Sequence, residues 1–496
     1  MNVRYLLTVD QSTSATKAII FDDRGRLIHR YNEPHKQYYP KPGWVEHDPE
    51  EIYENTLKAV RGVIKESGIS AEEIIALSIT NQRETALVWD RKTGRPIYNA
   101  VVWQCKRSTD ICEMLEREGL GKIIKEKSGL NLSPYFSASK IKWIIDNVES
   151  AREKAKNGDL LCGTIDSWLV WKLTDGRSHF TDYTNASRTQ LLNLKDLQWD
   201  KELLEIFDIP ESMLPELKTS DEIFGYLELK DLSIRLPITG VIGDSHAALF
   251  GQTCFEKGMA KATYGTGSSV MMNIGKEPVI PSSGIVGSIG WILKEDISYV
   301  LEGNINYAGA TIKWLVENLE LISEPKESGI IASSVEDNGG VYLVPAFVGL
   351  GAPYWDSEAR AIITGMSSNT KKAHIVRAAE ESIGYQIRDI IELMTEESGI
   401  PLKELRVDGG PTRDNFLMQF QADILNVPVV RIRIEELSAL GSAFIAGLAT
   451  GIWNNLEELI LLREIDRVFL PKMGQEEREK LYEGWKRAVK LALERN

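Results

Sequence analysis

The chain has 496 residues, 43% of them hydrophobic, and a formal net charge of −14 from 58 basic and 72 acidic residues. That length exceeds what one core supports, so two or more domains are expected, and two large α/β lobes are the simple reading. The acidic balance argues against a nucleic-acid or anionic-membrane surface, since both need clustered Lys and Arg, and it favours a small-molecule partner.

The opening MNVRYLLTVDQST has only a short apolar run, broken by Asp10. It reads as neither a secretory leader nor a membrane span, and a cytoplasmic protein is expected. Residues 5–10 read as a strand, QSTSAT as a turn and 17–22 as the returning strand of a hairpin, with Asp23-Arg24-Gly25 turning again. From 49 to 67 the apolar spacing becomes helical behind an early proline, and IIALSIT (74–80) follows as a buried strand, which suggests a parallel βαβ connection. Strand, Gly/Ser/Thr turn and strand recur over 258–275. Two amphipathic helices follow, the second stopped by Gly399, and LRVDGG (405–410) ends a further strand in a glycine pair. The halves share one design, with the boundary placed near residue 250: 1–250 and 251–496. Cys105, Cys112, Cys162 and Cys254 form no CxxC pair, so four reduced thiols are expected rather than a disulfide framework or a zinc site.

In VDQSTSATK an acidic residue ends a strand, hydroxyl residues fill the turn and a cation follows. Such a turn can aim N–H groups and the Thr13 and Ser14 hydroxyls at a phosphate, with Asp10 holding hydrated Mg²⁺ and Lys17 offsetting charge; the bland alternative is a polar hairpin turn. The turn 263–268 (TYGTGS) repeats the logic, and Gly409-Gly410 supplies a third close-approach loop. Three such turns over two lobes can clasp a nucleotide.

The stretches YPKPGWVEHDP (39–49), ITNQRET (79–85), YNAVVWQCKR (98–107), YFSASKIKW (135–143), TDYTNASRTQL (181–191), LVPAFVGLGAPYWD (343–356) and SALGSAFIAGLATG (438–451) resemble the glycerol kinase group of the FGGY carbohydrate kinases. The resemblance runs in family order through nearly the whole chain. It implies two actin-like, ribonuclease H-like α/β lobes around a cleft, and phosphoryl transfer from ATP with Mg²⁺ to a terminal hydroxyl of glycerol or a related small polyol. Asp244, in VIGDSHAALFG, becomes the general base, with a helix N-cap as its bland alternative. Arg83 and Glu84 would bind substrate hydroxyls, Trp103 would line the carbon chain and Tyr135 would hydrogen-bond; Asp244 and Ser245 complete the substrate side. Thr13, Ser14, Lys17, Thr266, Gly309, Lys313, Gly410 and Asp414 fall on the nucleotide side. A homo-oligomer, dimer or tetramer, stays open.

Three positions depart from the family. Ser12 replaces a usual glycine, at a cost of about 1 kcal/mol if that position needs positive φ. Ser245 replaces a glutamine and Ser269 an aromatic, which suggests a roomier, wetter pocket. His246 is then either a further hydroxyl ligand or a satisfied structural residue. Two other functions therefore stand beside glycerol phosphorylation: a sister kinase for a longer polyol or ketose, and an actin-like ATPase without a metabolite substrate, against which Arg83, Glu84, Trp103 and Asp244 all count.

Overall fold

A computed structural model describes residues 4–494, apart from Glu295, Trp355, Ser357 and Glu435. The opening residues 1–3, Trp355 of the stretch 343–356, and residues 495–496 thus lie outside the described residues.

Strand β1 (Tyr5–Gln11) is apolar on both faces, as a strand covered on both sides must be. Leu7 and Val9 point into one core and Leu6 into another. It pairs antiparallel with β2 (Ala15–Asp22), which pairs with β3 (Leu27–Pro34), so the expected hairpin extends to three strands. Helix α1 (Pro49–Ser67) has Pro49 at its start, Asp48 capping two N–H groups and Gly68 closing it at φ 70°, and it buries Ile52, Val60 and Val63 against the sheet. Its crossover delivers β4 (Ile74–Asn81) parallel to β1. After a long excursion, β5 (Gly225–Leu229) and β6 (Ile234–Gly243) finish the six-stranded order β5-β6-β4-β1-β2-β3.

The second half repeats the plan. β7 (Met259–Tyr264), β8 (Ser268–Gly275) and β10 (Asp296–Ile305) run antiparallel, with β9 (Val286–Leu293) outside β10; β11 (Glu404–Asp408) and β12 (Val429–Ile432) lie parallel on the other side of β7, and β13 (Ile465–Phe469) is at the edge. Three antiparallel strands followed by two parallel ones, in both sheets, is the arrangement expected of ribonuclease H-like lobes.

Helix α2 (Asp244–Gly251) leaves β6, and α3 (Gly309–Glu317) follows β10. Helices α4 (Lys372–Ser398) and α5 (Asn415–Leu425) precede α6 (Leu437–Ala449). Although α6 comes late in the chain, it packs on β1, β4 and β6 of the first sheet. It meets α2 in near backbone contact: a Cβ at Gly441 would lie 1.8 Å from the Ala247 carbonyl, and one at Gly251 2.4 Å from the Leu437 carbonyl. One core joins Leu6, Ile19 and Phe21 of the first sheet, both helices, and Met271, Trp291 and Val300 of the second. All four cysteines are buried free thiols, as expected. No helix among the described residues is long and apolar enough to cross a membrane.

Candidate active site

β6 turns directly into α2 at Gly243, the helix N-cap, so Asp244 is the first helical residue rather than the cap. Its carboxylate accepts from the Ser245 N–H at 2.6 Å, and its side chain is 38% exposed, enough to meet a ligand. Gly243 is required here because a Cβ would lie 2.8 Å from Arg83 Cγ. The arginine stem therefore crosses the glycine and brings Nε to 3.2 Å from Asp244 Oδ1.

The other end of Arg83 is committed. Nη1 and Nη2 each donate to one oxygen of Glu302, at 2.8 Å. Arg188 lies 3.0 Å from Glu302 through Nη1 and donates from Nε to Glu84 at 2.6 Å; Glu84 returns to within 3.9 Å of Arg83. The result is a ring of two guanidiniums and two carboxylates, all buried, in which each buried charge has a partner of opposite sign. Burial lifts Glu302, but Arg188 and Arg83 outweigh it and hold the carboxyl well below the usual range. For Asp244 burial wins over Arg83, and the carboxyl stays above its ordinary value. Glu84 has φ 61°, a strained setting for a side-chain-bearing residue, and its carbonyl accepts from Ser137 Oγ at 3.0 Å.

Trp103 and Tyr135 meet edge to face with centroids 5.6 Å apart, and burial pushes the Tyr135 phenol well above 10, with Glu84 adding to it. The Trp103 indole N–H donates to Thr13 Oγ1 at 3.0 Å, joining the Trp103–Tyr135 pair to the turn between β1 and β2. Lys140 fastens the loop carrying Tyr135 by donating to the carbonyls of Pro134, Tyr135 and Phe136. Burial draws this amine down to about 7, while three carbonyl acceptors match the three N–H bonds of its charged form.

The two departing serines face each other. Ser245 Oγ lies 3.3 Å from Ser269 Oγ, which reaches Glu302 at 3.4 Å. Buried Lys261 donates to Ser245 Oγ at 2.9 Å and to Thr263 Oγ1 at 3.2 Å, and Thr263 donates to Asp408 at 3.2 Å. The hydroxyls that replace a larger amide and an aromatic are thus already hydrogen-bonded. His246 is fully buried, with Nε2 3.2 Å from Ser288 Oγ and Nδ1 without a hydrogen-bond partner among the described residues.

On the nucleotide side, the Thr266 carbonyl accepts from the Ala308 and Ala310 N–H groups at 2.9 and 3.0 Å, and the Gly265 carbonyl from the Gly309 N–H at 2.9 Å. Gly409, at φ 97°, packs so closely on Tyr264 that a Cβ would sit 1.9 Å from its carbonyl, whereas a Cβ at Gly410 would meet nothing within 4 Å. The segments at 263–268, 306–309 and 409–410 are thus held to one another and leave Gly410 facing open space. Ser12 is not among the positive-φ residues, so the expected strain is absent; its hydroxyl donates to the Ala15 carbonyl and closes the turn. Ser14 is exposed in the same turn. Lys17 donates to Glu436 at 2.7 Å, Lys313 is an exposed helix residue 3.5 Å from Glu317, and Asp414 caps α5 through the Phe416 and Leu417 N–H groups. The structure gives these three a partner inside the protein.

Asp10 is buried, and its carboxylate makes no hydrogen bond or ion pair among the described residues. Burial raises it to about 7, against the pull of Lys17 and with Glu436 and Asp244 pushing the same way as burial. An unpartnered buried carboxylate of this kind fits a divalent cation that takes few protein ligands and completes its shell with phosphate and water.

Glu302, Arg188 and Lys261 escape a reading of the sequence. Their signal is one charge inside an apolar strand, as in SYVLEGNI and MAKATY, or inside the quoted stretch 181–191.

Residues 5–251 match the N-terminal domain of the FGGY family of carbohydrate kinases and residues 260–450 its C-terminal domain. Glycerol kinase 1 of Thermotoga maritima is 59% identical over 489 residues, covering 99% of both chains, and glycerol kinase of Caldanaerobacter subterraneus is 53% identical with the same coverage. A crystal structure of Plasmodium falciparum glycerol kinase with ADP superposes with a TM-score of 0.95 at 39% identity, covering 100% of this chain and 99% of that one. On matches of this extent in both lobes, the chain belongs to the FGGY family of carbohydrate kinases, among its glycerol kinases.

Proposed function

We propose that the chain transfers the γ-phosphoryl group of ATP to a terminal hydroxyl of glycerol, giving glycerol 3-phosphate, with Asp244 as general base. The observation that carries this is the pairing of a partly exposed carboxylate, raised above its ordinary range, with an arginine whose far end is fixed by Glu302. Arg83 and Glu84 hold the hydroxyls of the polyol, one donating and one accepting, while Trp103 and Tyr135 line its carbon chain. Asp244 takes the hydroxyl proton as the oxygen–phosphorus bond forms and the bond to ADP breaks. Thr13, Ser14, Thr266, Gly309 and Gly410 seat the nucleotide. Asp10 would hold Mg²⁺, which when bound would supply charge neutralisation at the phosphates. In this reading residues 1–250 furnish the polyol pocket and base, residues 251–496 furnish most of the nucleotide seat, and the reaction takes place in the cytoplasm.

A longer polyol or ketose is not favoured, because the whole-length relatives are glycerol kinases and Ser245 and Ser269 are satisfied by Lys261 and Glu302. An ATPase without a metabolite substrate has no use for the Arg83–Asp244 pair. The test is coupled ADP release with glycerol, erythritol, threitol, ribitol, xylulose and ribulose. Glycerol is expected to give the highest kcat/KM; release that does not rise above the polyol-free rate with glycerol overturns the reading.

A further inference from the structure

Glu302 belongs to the second sheet, yet its carboxylate is gripped by two arginines from the first half of the chain, Arg83 and Arg188. It stands on β10, paired in register with Met271 of β8. Three residues further on, β10 ends at Ile305, and the chain enters the loop whose Ala308 and Gly309 N–H groups bond the Thr266 and Gly265 carbonyls. That is a span of roughly 10 Å of extended backbone, paired along its length with β8 and, at Glu302 itself, also with Val286 of β9. A shift of Arg83 or Glu84 as they take up hydroxyls therefore reaches β10 through a buried two-pronged bond, and β10 leads straight to the nucleotide loop.

We propose that Glu302 is a positioning residue that couples occupancy of the polyol pocket to the nucleotide loop at residues 306–309. This rests on the reading of Arg83 and Glu84 as the polyol's ligands. Coupling of this kind is a free energy shared by two sites, seen as a change in affinity at one when the other fills. A purely structural ring would instead support both sites equally or merely hold the fold.

The test uses the full chain and a non-hydrolysable ATP analogue, titrated calorimetrically with and without saturating glycerol, with glycerol binding itself measured in each variant. In the unmodified protein glycerol is expected to tighten nucleotide binding about tenfold, and Glu302→Gln is expected to cut that factor to about twofold or less while glycerol-free nucleotide affinity stays within about threefold. Arg188→Lys, which keeps the charge but loses the second prong, reads the same coupling if Glu302→Gln does not fold. Retention of the full factor in a folded Glu302→Gln protein overturns the proposal. So does its absence from the unmodified protein, or loss of both ligands or of the native fold in both variants. Failure of the site reading looks different: the unmodified protein then releases no ADP with glycerol, whatever the binding factor.

Discussion

Arg83 divides itself between two carboxylates unequally, giving Glu302 both Nη groups at 2.8 Å and Asp244 only an Nε approach at 3.2 Å. Arg188 adds to the stronger grip on Glu302 and holds that acid well below the usual range, whereas at Asp244 burial outweighs the single Arg83 approach and keeps the carboxyl above its ordinary value. A carboxylate fully engaged by a guanidinium makes a poor proton acceptor, so of the two acids Asp244 is the one that suits the proposed role of base.

Replacing that base is the most direct check. Asp244→Asn keeps the shape and is expected to lower kcat by about 10²–10⁴ with ATP and glycerol binding nearly unchanged. Steady-state kinetics beside calorimetric binding reads both quantities, and near-normal turnover in a folded variant removes Asp244 from the role.

Gly243→Ala probes the geometry that presents the base. The added carbon would lie 2.8 Å from Arg83 Cγ, so the arginine has to swing away. We expect kcat/KM for glycerol to fall by roughly 10-fold to 100-fold, the scale of a small misplacement in a positioned site, while the KM for ATP stays close to its original value. An unaltered kcat/KM means that the arginine stem has room this geometry does not allow.

Among the described residues the Trp103 side chain makes one polar bond, to Thr13, and one aromatic contact, to Tyr135. The two are separable by substitution. Trp103→Phe removes the indole N–H and keeps a ring, so the KM for ATP should rise by about tenfold or less, the worth of a single hydrogen bond, with a smaller change for glycerol. Trp103→Ala should raise the KM for both. Identical effects of the two variants argue against a link between the aromatics and the phosphate turn.

Glu380 gives a pH prediction away from the chemistry. Burial raises its carboxyl from 4.5 to about 8, nearby Asp414 adds to this, and Ser328 only partly opposes it. The folded chain therefore holds a proton there that the unfolded chain has released. Its contribution to stability is present at low pH and is lost as pH climbs through the window from 4.5 to about 8. Glu380→Gln, which mimics the protonated acid, should melt with the parent near the bottom of that window and above it at the top. Parallel melting curves at both ends rule out this titration.

What the sequence displays well is local. The hairpins, the glycine turns and the strand-to-helix step at Gly243-Asp244 depend on neighbours a few residues away, so pattern alone finds them. Arg83, Glu84, Trp103 and Tyr135, the residues proposed for the polyol pocket, have no local signature, and only the family resemblance singles them out. The ion ring is different again, because Glu302 lies 219 residues from Arg83, and no periodicity records a partner at that distance. The expectation of an emptier pocket at Ser245 and Ser269 counts lost side-chain volume but not Lys261, whose ammonium reaches that space from an adjacent strand. Likewise, Ser12 carries no left-handed strain, because the turn needs no positive φ there.

Helix α6 comes from the end of the chain but lies on the sheet made at its beginning, covering Leu6, Ile19 and Phe21. A protein cut after residue 251 would thus yield two incomplete pieces, the first with a bare apolar sheet face and the second with a helix that has lost its seat. Expressed separately, they should aggregate; expressed together, they should find each other and recover activity, as complementing fragments rather than as autonomous domains.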